Sequence, residues 1–286
     1  MHCSQPPTPS PLFGHAWSTS ISTAFTSWVD SLPSTSVSHA AARLAADGYT
    51  ILPATPSSLA FSRLMLTRAP LVKGPGVTVG DGRLSSLVPI ASVLIPPLVR
   101  LTQRLLLSTP AALSDDASGK RAPPHDVEAS ISYLTVLPTS GGNIVHRDSV
   151  SFGLASLSFL VMLADTMSVT EVMPRSHQPA AASTPASSHS QLLPAAAFMP
   201  AGSMLVFHST LAHRGVAGDG ESTRPTLFMM LGLRPTRYRP LAFAPSSPID
   251  AVVFKFDTNS ARANGASLAA QTRADNKRRR ASDQLA

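Results

Sequence analysis

His146-Arg147-Asp148 is followed by His213, and His213 by Arg224 eleven residues further on. Two imidazoles and one carboxylate can take one face of an octahedral Fe(II), leaving positions open for a co-substrate and dioxygen. A guanidinium on the segment after the second histidine can hold the far carboxylate of a keto acid as a bidentate pair. His-x-Asp alone is a weak signal in a chain with 9 histidines, so its surroundings carry the weight. A strand and the Gly141-Gly142 turn precede it, and another strand follows. Positions i and i+2 on a strand end point to one face, which groups His146 with Asp148 and sends Arg147 the other way. His208 competes with His213 for the third ligand position, as a pocket residue or a core histidine. His213 is preferred because only it leaves Arg224 eleven residues away on the next strand.

The elements around these groups follow from apolar periodicity and turn residues. Residues 1–37 read as a Ser/Thr/Pro-rich, mostly irregular lead with one short helix near 18–31. An Ala-rich helix over 39–47 closes at Gly48, and Tyr49-Thr50-Ile51-Leu52 forms a strand that ends at Pro53. Residues 87–107 suit a helix that starts after Pro96-Pro97, and residues 108–128 read as a loop. Strands follow at 131–137, at 151–163 (one or two), at 203–208 and at 226–231. Residues 178–197 hold Gln, Pro, Ala, Ser, Thr, His and Leu and read as a flexible insertion. Residues 258–286 read as a disordered basic tail. Early helices and late short strands predict an α+β domain, mainly β, over 38–257. The expected architecture is a jelly-roll barrel flanked by N-terminal helices. No helix alternates with the strands after residue 130, which disfavours a parallel βαβ sheet.

Hydrophobic residues make up 43% of the 286, enough for a core, while 26 prolines and 14% charge fit a β-rich body with long loops. Cys3 is the single cysteine, which excludes an intramolecular disulfide and argues for a reducing, cytoplasmic setting. The net charge of +7 invites a nucleic-acid reading. Yet the bases are scattered, four of them sit in Lys277-Arg278-Arg279-Arg280, and aromatics are only 6%. No nucleic-acid surface on the folded domain is therefore expected. The 277–280 run reads as a solvated charge cluster, with a nuclear-import signal or a kinase site at Ser282 as the alternatives. No apolar run reaches the ~18 residues that span a bilayer, and the start of the chain lacks secretory or mitochondrial features.

Other motifs fall away on spacing. His-Arg-Asp opens the protein-kinase catalytic loop, but the required Asn is Gly153 here and no Asp-Phe-Gly follows. Gly74, Gly76 and Gly80 do not form a dinucleotide fingerprint. No Gly-x-Ser-x-Gly elbow exists for a serine hydrolase.

Asn143-Ile144-Val145-His146-Arg147-Asp148, Thr170 through His177, and Pro200-Ala201-Gly202-Ser203-Met204 through His213-Arg214-Gly215 to Arg224-Pro225 occur in a recognisable order. Together, over residues 38–235, they resemble the phytanoyl-CoA dioxygenase family of Fe(II)/2-oxoglutarate oxygenases, nearest to its secondary-metabolite members. The resemblance implies a double-stranded β-helix, iron ligation by His146, Asp148 and His213, and an Arg224 salt bridge to the C5 carboxylate of 2-oxoglutarate. It also implies oxidation of a small, largely apolar molecule, with 2-oxoglutarate and O2 converted to succinate and CO2. Asn143 stands where the family often has a Gln that reaches the co-substrate, and Thr170 matches a threonine near it. Arg175 replaces a glycine of the family's Pro-Gly-Ser-His pattern, which implies backbone strain or a rearranged turn. Such a family admits a homodimer. Two other readings stay open: a catalytically silent barrel used for binding, and a cupin-type metal enzyme that uses no keto acid.

Overall fold

The computed structural model describes residues 11–72, 77–80, 82–88, 91–107, 125–148, 156–167, 170–178 and 192–235. Helix α1 (Pro11–Ser31) stands where an irregular lead is expected, and it is longer than the 18–31 helix. Ser and Thr give it modest propensity, but Ile21, Phe25, Trp28 and Val29 recur at helical spacing and are fully buried. A stripe of this kind lets tertiary burial decide the helix. Phe25 and Trp28 meet Phe61 at ring-centroid distances of 4.8 and 5.9 Å.

Helix α2 (Ser34–Asp47) ends as expected: Gly48 takes φ 86°, and its N–H donates to Leu44 O at 3.0 Å. Strand β1 (Tyr49–Leu52) follows within the predicted bounds. Helix α3 (Pro56–Leu66) is not foreseen, although the sequence carries its signal. Thr55 caps it reciprocally with Ser58, Pro56 sits at the first turn, and Phe61 and Met65 form an i, i+4 buried pair. After β2 (Thr78–Gly80) and β3 (Arg83–Leu87) comes helix α4 (Ala91–Leu107). It contains Pro96 and Pro97 instead of beginning after them. The hydrogen bonds these prolines forfeit are offset by burial of Leu94, Ile95, Leu98, Leu101 and Leu105. Arg104 donates to Val29 O and Leu32 O, both at 2.6 Å, and ties α4 to the end of α1.

The strands that follow are β4 (His125–Val136), β5 (Ser156–Met162), β6 (Thr166–Met167), β7 (Thr170–Val172) and β8 (Leu193–Pro194). They continue with β9 (Phe198–Met199), β10 (Met204–His208), β11 (His213–Gly215) and β12 (Arg224–Pro235). Two loop expectations give way here. The 108–128 loop yields residues 125–128 to β4, and the 178–197 insertion yields Leu193–Pro194, which pair with β7. Residues 108–124, 179–191 and 258–286 lie outside the described residues. Seven strands pair antiparallel in the order β1-β10-β5-β12-β4-β3-β2, and β11-β7-β8 form a second antiparallel sheet. A β6-β9 pair completes the set among the described residues.

Strand β5 explains the layering. All seven of its residues are buried, because both its faces are covered. Leu157, Phe159 and Val161 pack with the helices, while Leu160 and Met162 join Val172, Met199, Leu205, Phe207 and Leu211 on the other side. A strand with two apolar faces loses clean alternation, so its outline in the sequence was loose. Among the described residues, no helix is long and apolar enough to cross a membrane.

Candidate metal centre

The chain leaves β4 and comes back beside β11. Asn143 N–H donates to Gly215 O at 3.0 Å, and His146 and His213 exchange both backbone N–H···O bonds at 2.9 Å each. Directly paired antiparallel residues project to one face, and the two imidazole centroids lie 4.4 Å apart. Two residues on, Asp148 Oδ1 sits 3.7 Å from His146 Nε2 and 3.6 Å from His213 Nε2. One ligand atom from each residue lies within 4.8 Å of the others.

The tautomers are set by the backbone. His146 Nδ1 is 2.9 Å from Ile144 O, and His213 Nδ1 is 3.0 Å from Leu211 O. A carbonyl can only accept, so Nδ1 carries the proton and Nε2 presents its lone pair. Burial lowers the His213 pKa, with Asp148 opposing and His146 adding to the depression. The neutral, ligating form is thereby favoured.

Arg147 points away from the cluster, as expected. Its Nη1 donates to Ser176 O at 2.5 Å and also to Thr210 O, clamping the 173–177 turn to the segment that leads into His213. His208 lies outside the cluster. It stacks on His177 at 4.8 Å with 7° between the planes, and burial followed by the His177 charge pushes its pKa down to about 4.

Arg224 opens β12, is 3% exposed, and donates from Nη2 to Val216 O at 3.0 Å and Ala217 O at 2.5 Å. A second buried arginine was missed. Arg83 and Arg224 both pair with Val136, from opposite sides, so their side chains share a face of the sheet. A Cβ on Gly215 would lie 2.8 Å from Arg83 Nη2 and 3.2 Å from its Cζ. The guanidinium thus occupies the room that glycine leaves, two residues past His213. Thr170, 2% exposed, pairs with Gly215 across β7. Gly215 is therefore where Arg83, Thr170 and the Asn143 backbone meet. Nothing in the sequence distinguishes Arg83 from a surface cation; only its strand register does.

Arg175 adopts φ 67°, so the turn keeps a left-handed residue without glycine and is not rearranged to avoid it. Its N–H donates to Asp47 O at 2.9 Å, and Ser176 closes on Met173 O at 3.2 Å. The Arg175 side chain is exposed, so Arg175→Gly removes strain and no packing. A gain of roughly 1 kcal/mol in chemical denaturation is expected; an unchanged or lower stability would show that the turn carries no strain.

No protein-family model matches the sequence, and no curated protein matches it. In structure it is similar to the non-heme alpha ketoglutarate dependent epimerase SnoN from nogalamycin biosynthesis. The identity is 18% and the TM-score 0.50, over 76% of this chain and 93% of that one. It is also similar to the carbocyclase SnoK from nogalamycin biosynthesis, at 16% identity and a TM-score of 0.49 over 79% of this chain and 96% of that one. AviO1 from Streptomyces viridochromogenes Tue57 gives 18% identity and 0.49 over 71% and 96%. The SnoN likeness establishes the shared β-rich fold.

Proposed function

We propose that this chain is a non-haem Fe(II)/2-oxoglutarate-dependent dioxygenase acting on a small, largely apolar organic molecule. The observation that carries the reading is the His146–Asp148–His213 cluster, with both Nε2 atoms freed for a metal by backbone-held Nδ1 atoms. Two imidazoles and one carboxylate fit Fe(II), and they hold it on one side only. When bound, iron, 2-oxoglutarate and O2 supply the oxidation, with succinate and CO2 as co-products. SnoN is described as alpha ketoglutarate dependent, which supports the same co-substrate here.

The protein's own part is holding and shielding. Arg224 and Arg83 supply buried cations for the carboxylates of the keto acid, and Thr170 and Asn143 line the approach around Gly215. Phe207, with its ring 4.6 Å from that of His213, and Leu211 cover the buried ligand. The His146 side is open: its side chain is 39% exposed, and Ile144 beside it is 82% exposed. An apolar substrate suits that edge. The two antiparallel sheets around the Leu160–Phe207 interior support a double-stranded β-helix. The catalytic unit in this reading runs from α1 to β12, because α1 shares the helix-side core. Cys3, the chain's single cysteine, lies before that unit, and such sparing cysteine use supports a cytoplasmic setting.

Anaerobic Fe(II) with 2-oxoglutarate is expected to give a weak visible charge-transfer band in the wild type. At the same keto-acid concentration Arg224→Ala should lose it. Absence of the band in folded wild type overturns the assignment, and succinate formed under air separates an enzyme from a silent binding barrel.

A further inference from the structure

Asp148 turns its second oxygen away from the histidines. Oδ2 accepts a hydrogen bond from Ser158 Oγ at 2.6 Å. Ser158 Oγ lies 3.1 Å from Ser209 Oγ, and Ser156 Oγ donates to Ser209 Oγ at 2.9 Å. A serine hydroxyl has one proton to give. Ser158 gives its proton to Asp148, so it accepts from Ser209, which in turn accepts from Ser156. The protons all run one way along Ser156, Ser209, Ser158 and Asp148, an arrangement in which each bond polarises the next.

The placement is built by the fold. Ser156 and Ser158 stand two apart on β5, on the face that continues through Leu160 and Met162 into the sheet interior. Ser209 follows β10, and its N–H donates to Ser156 O at 3.0 Å. Ser158 and Ser209 are fully buried, and Ser156 is 9% exposed. Hydroxyls in an otherwise apolar strand cost desolvation unless they are paired, and these pair toward a single carboxylate.

We infer that this hydroxyl chain is a positioning device that keeps Asp148 a one-oxygen metal ligand. Oδ1 serves the metal, Oδ2 is held by Ser158, and the coordination position that a chelating carboxylate would take stays open. The inference rests on the metal reading above.

Full-length protein titrated with Mn(II) alone tests it. Ser158→Ala is expected to weaken binding about 10- to 100-fold, the range for lost outer hydrogen bonds on metal ligands. Water-proton relaxivity per bound ion should fall by about a third, because the freed Oδ2 takes one of the open positions. Ser209→Ala leaves the direct donor in place and shifts both readouts the same way by less. Ser158→Thr restores the hydroxyl and should restore both. Wild-type-like binding together with wild-type-like relaxivity in Ser158→Ala overturns the inference. So does a fall in thermal stability with relaxivity unchanged, which would make the serine merely structural. If Ser158→Ala does not fold, Ser209→Ala decides on the same two readouts. A wild type that takes up no Mn(II) sinks the metal reading itself.

Discussion

His213→Ala is expected to abolish measurable Fe(II) binding and all turnover while the protein stays folded. Loss of an outer hydrogen bond on a metal ligand costs about 10- to 100-fold in affinity, and removal of a ligand itself costs more. His213 also anchors the geometry, but it does so through its backbone: both N–H···O bonds to His146 survive truncation to Ala. The imidazole's own contribution to the fold is the bond from Nδ1 to Leu211 O and the ring contacts with Phe207 and His146. That is worth about 1–3 kcal/mol, short of the 5–15 kcal/mol that holds a domain together. His208→Ala is the matching control. It removes the stack on His177, so it should cost stability and leave metal affinity near wild type. Titration calorimetry under anaerobic conditions, run beside thermal unfolding, checks both. Retained metal binding in His213→Ala, with loss in His208→Ala, would transfer the ligand role and overturn the assignment.

What the sequence disclosed and what it concealed divide along a physical line. His146, Asp148 and His213 were legible because a metal demands particular donors, and an i, i+2 spacing on a strand end leaves few arrangements. Gly48 and β1 were legible because a left-handed cap and a β-branched run act locally. Helix α1 was foreseen over 18–31, where Phe25 and Trp28 pack on Phe61 of α3, but its start at Pro11 was not, because Ser, Thr and Pro give the first turns little local helix signal. Helix α3 was overlooked although Thr55 and Ser58 announce it, since its short capping signal is followed by only 11 helical residues. The proline pair in α4 was read as a boundary, and burial of the surrounding leucines overrode it. Ser156, Ser158 and Ser209 were invisible for a different reason. Serine is a common residue, and only the β5–β10 register brings these three into line with Asp148.

Arg83 belongs to that last group, and its substitution should strongly weaken co-substrate binding in the proposed reaction. A buried guanidinium that loses its place leaves a carboxylate without a partner, at a cost of roughly 2–3 kcal/mol for a charged hydrogen bond. For 2-oxoglutarate this corresponds to about 30- to 150-fold weaker binding. Arg83→Ala should therefore raise the keto-acid Kd by that factor and leave Mn(II) binding in the absence of keto acid unchanged. Gly215→Ala supplies an independent approach to the same group. Its new methyl would meet Arg83 Nη2 at 2.8 Å, and the flexible end of the arginine must move aside. The backbone of β11 keeps its ladder with β7, so the histidine pair should survive while keto-acid affinity falls. Arg83→Lys keeps the charge but not the planar fork and should restore only part of the affinity. If Arg83→Ala and Gly215→Ala both bind 2-oxoglutarate like the wild type, Arg83 is a buried structural cation, and Arg224 alone holds the co-substrate.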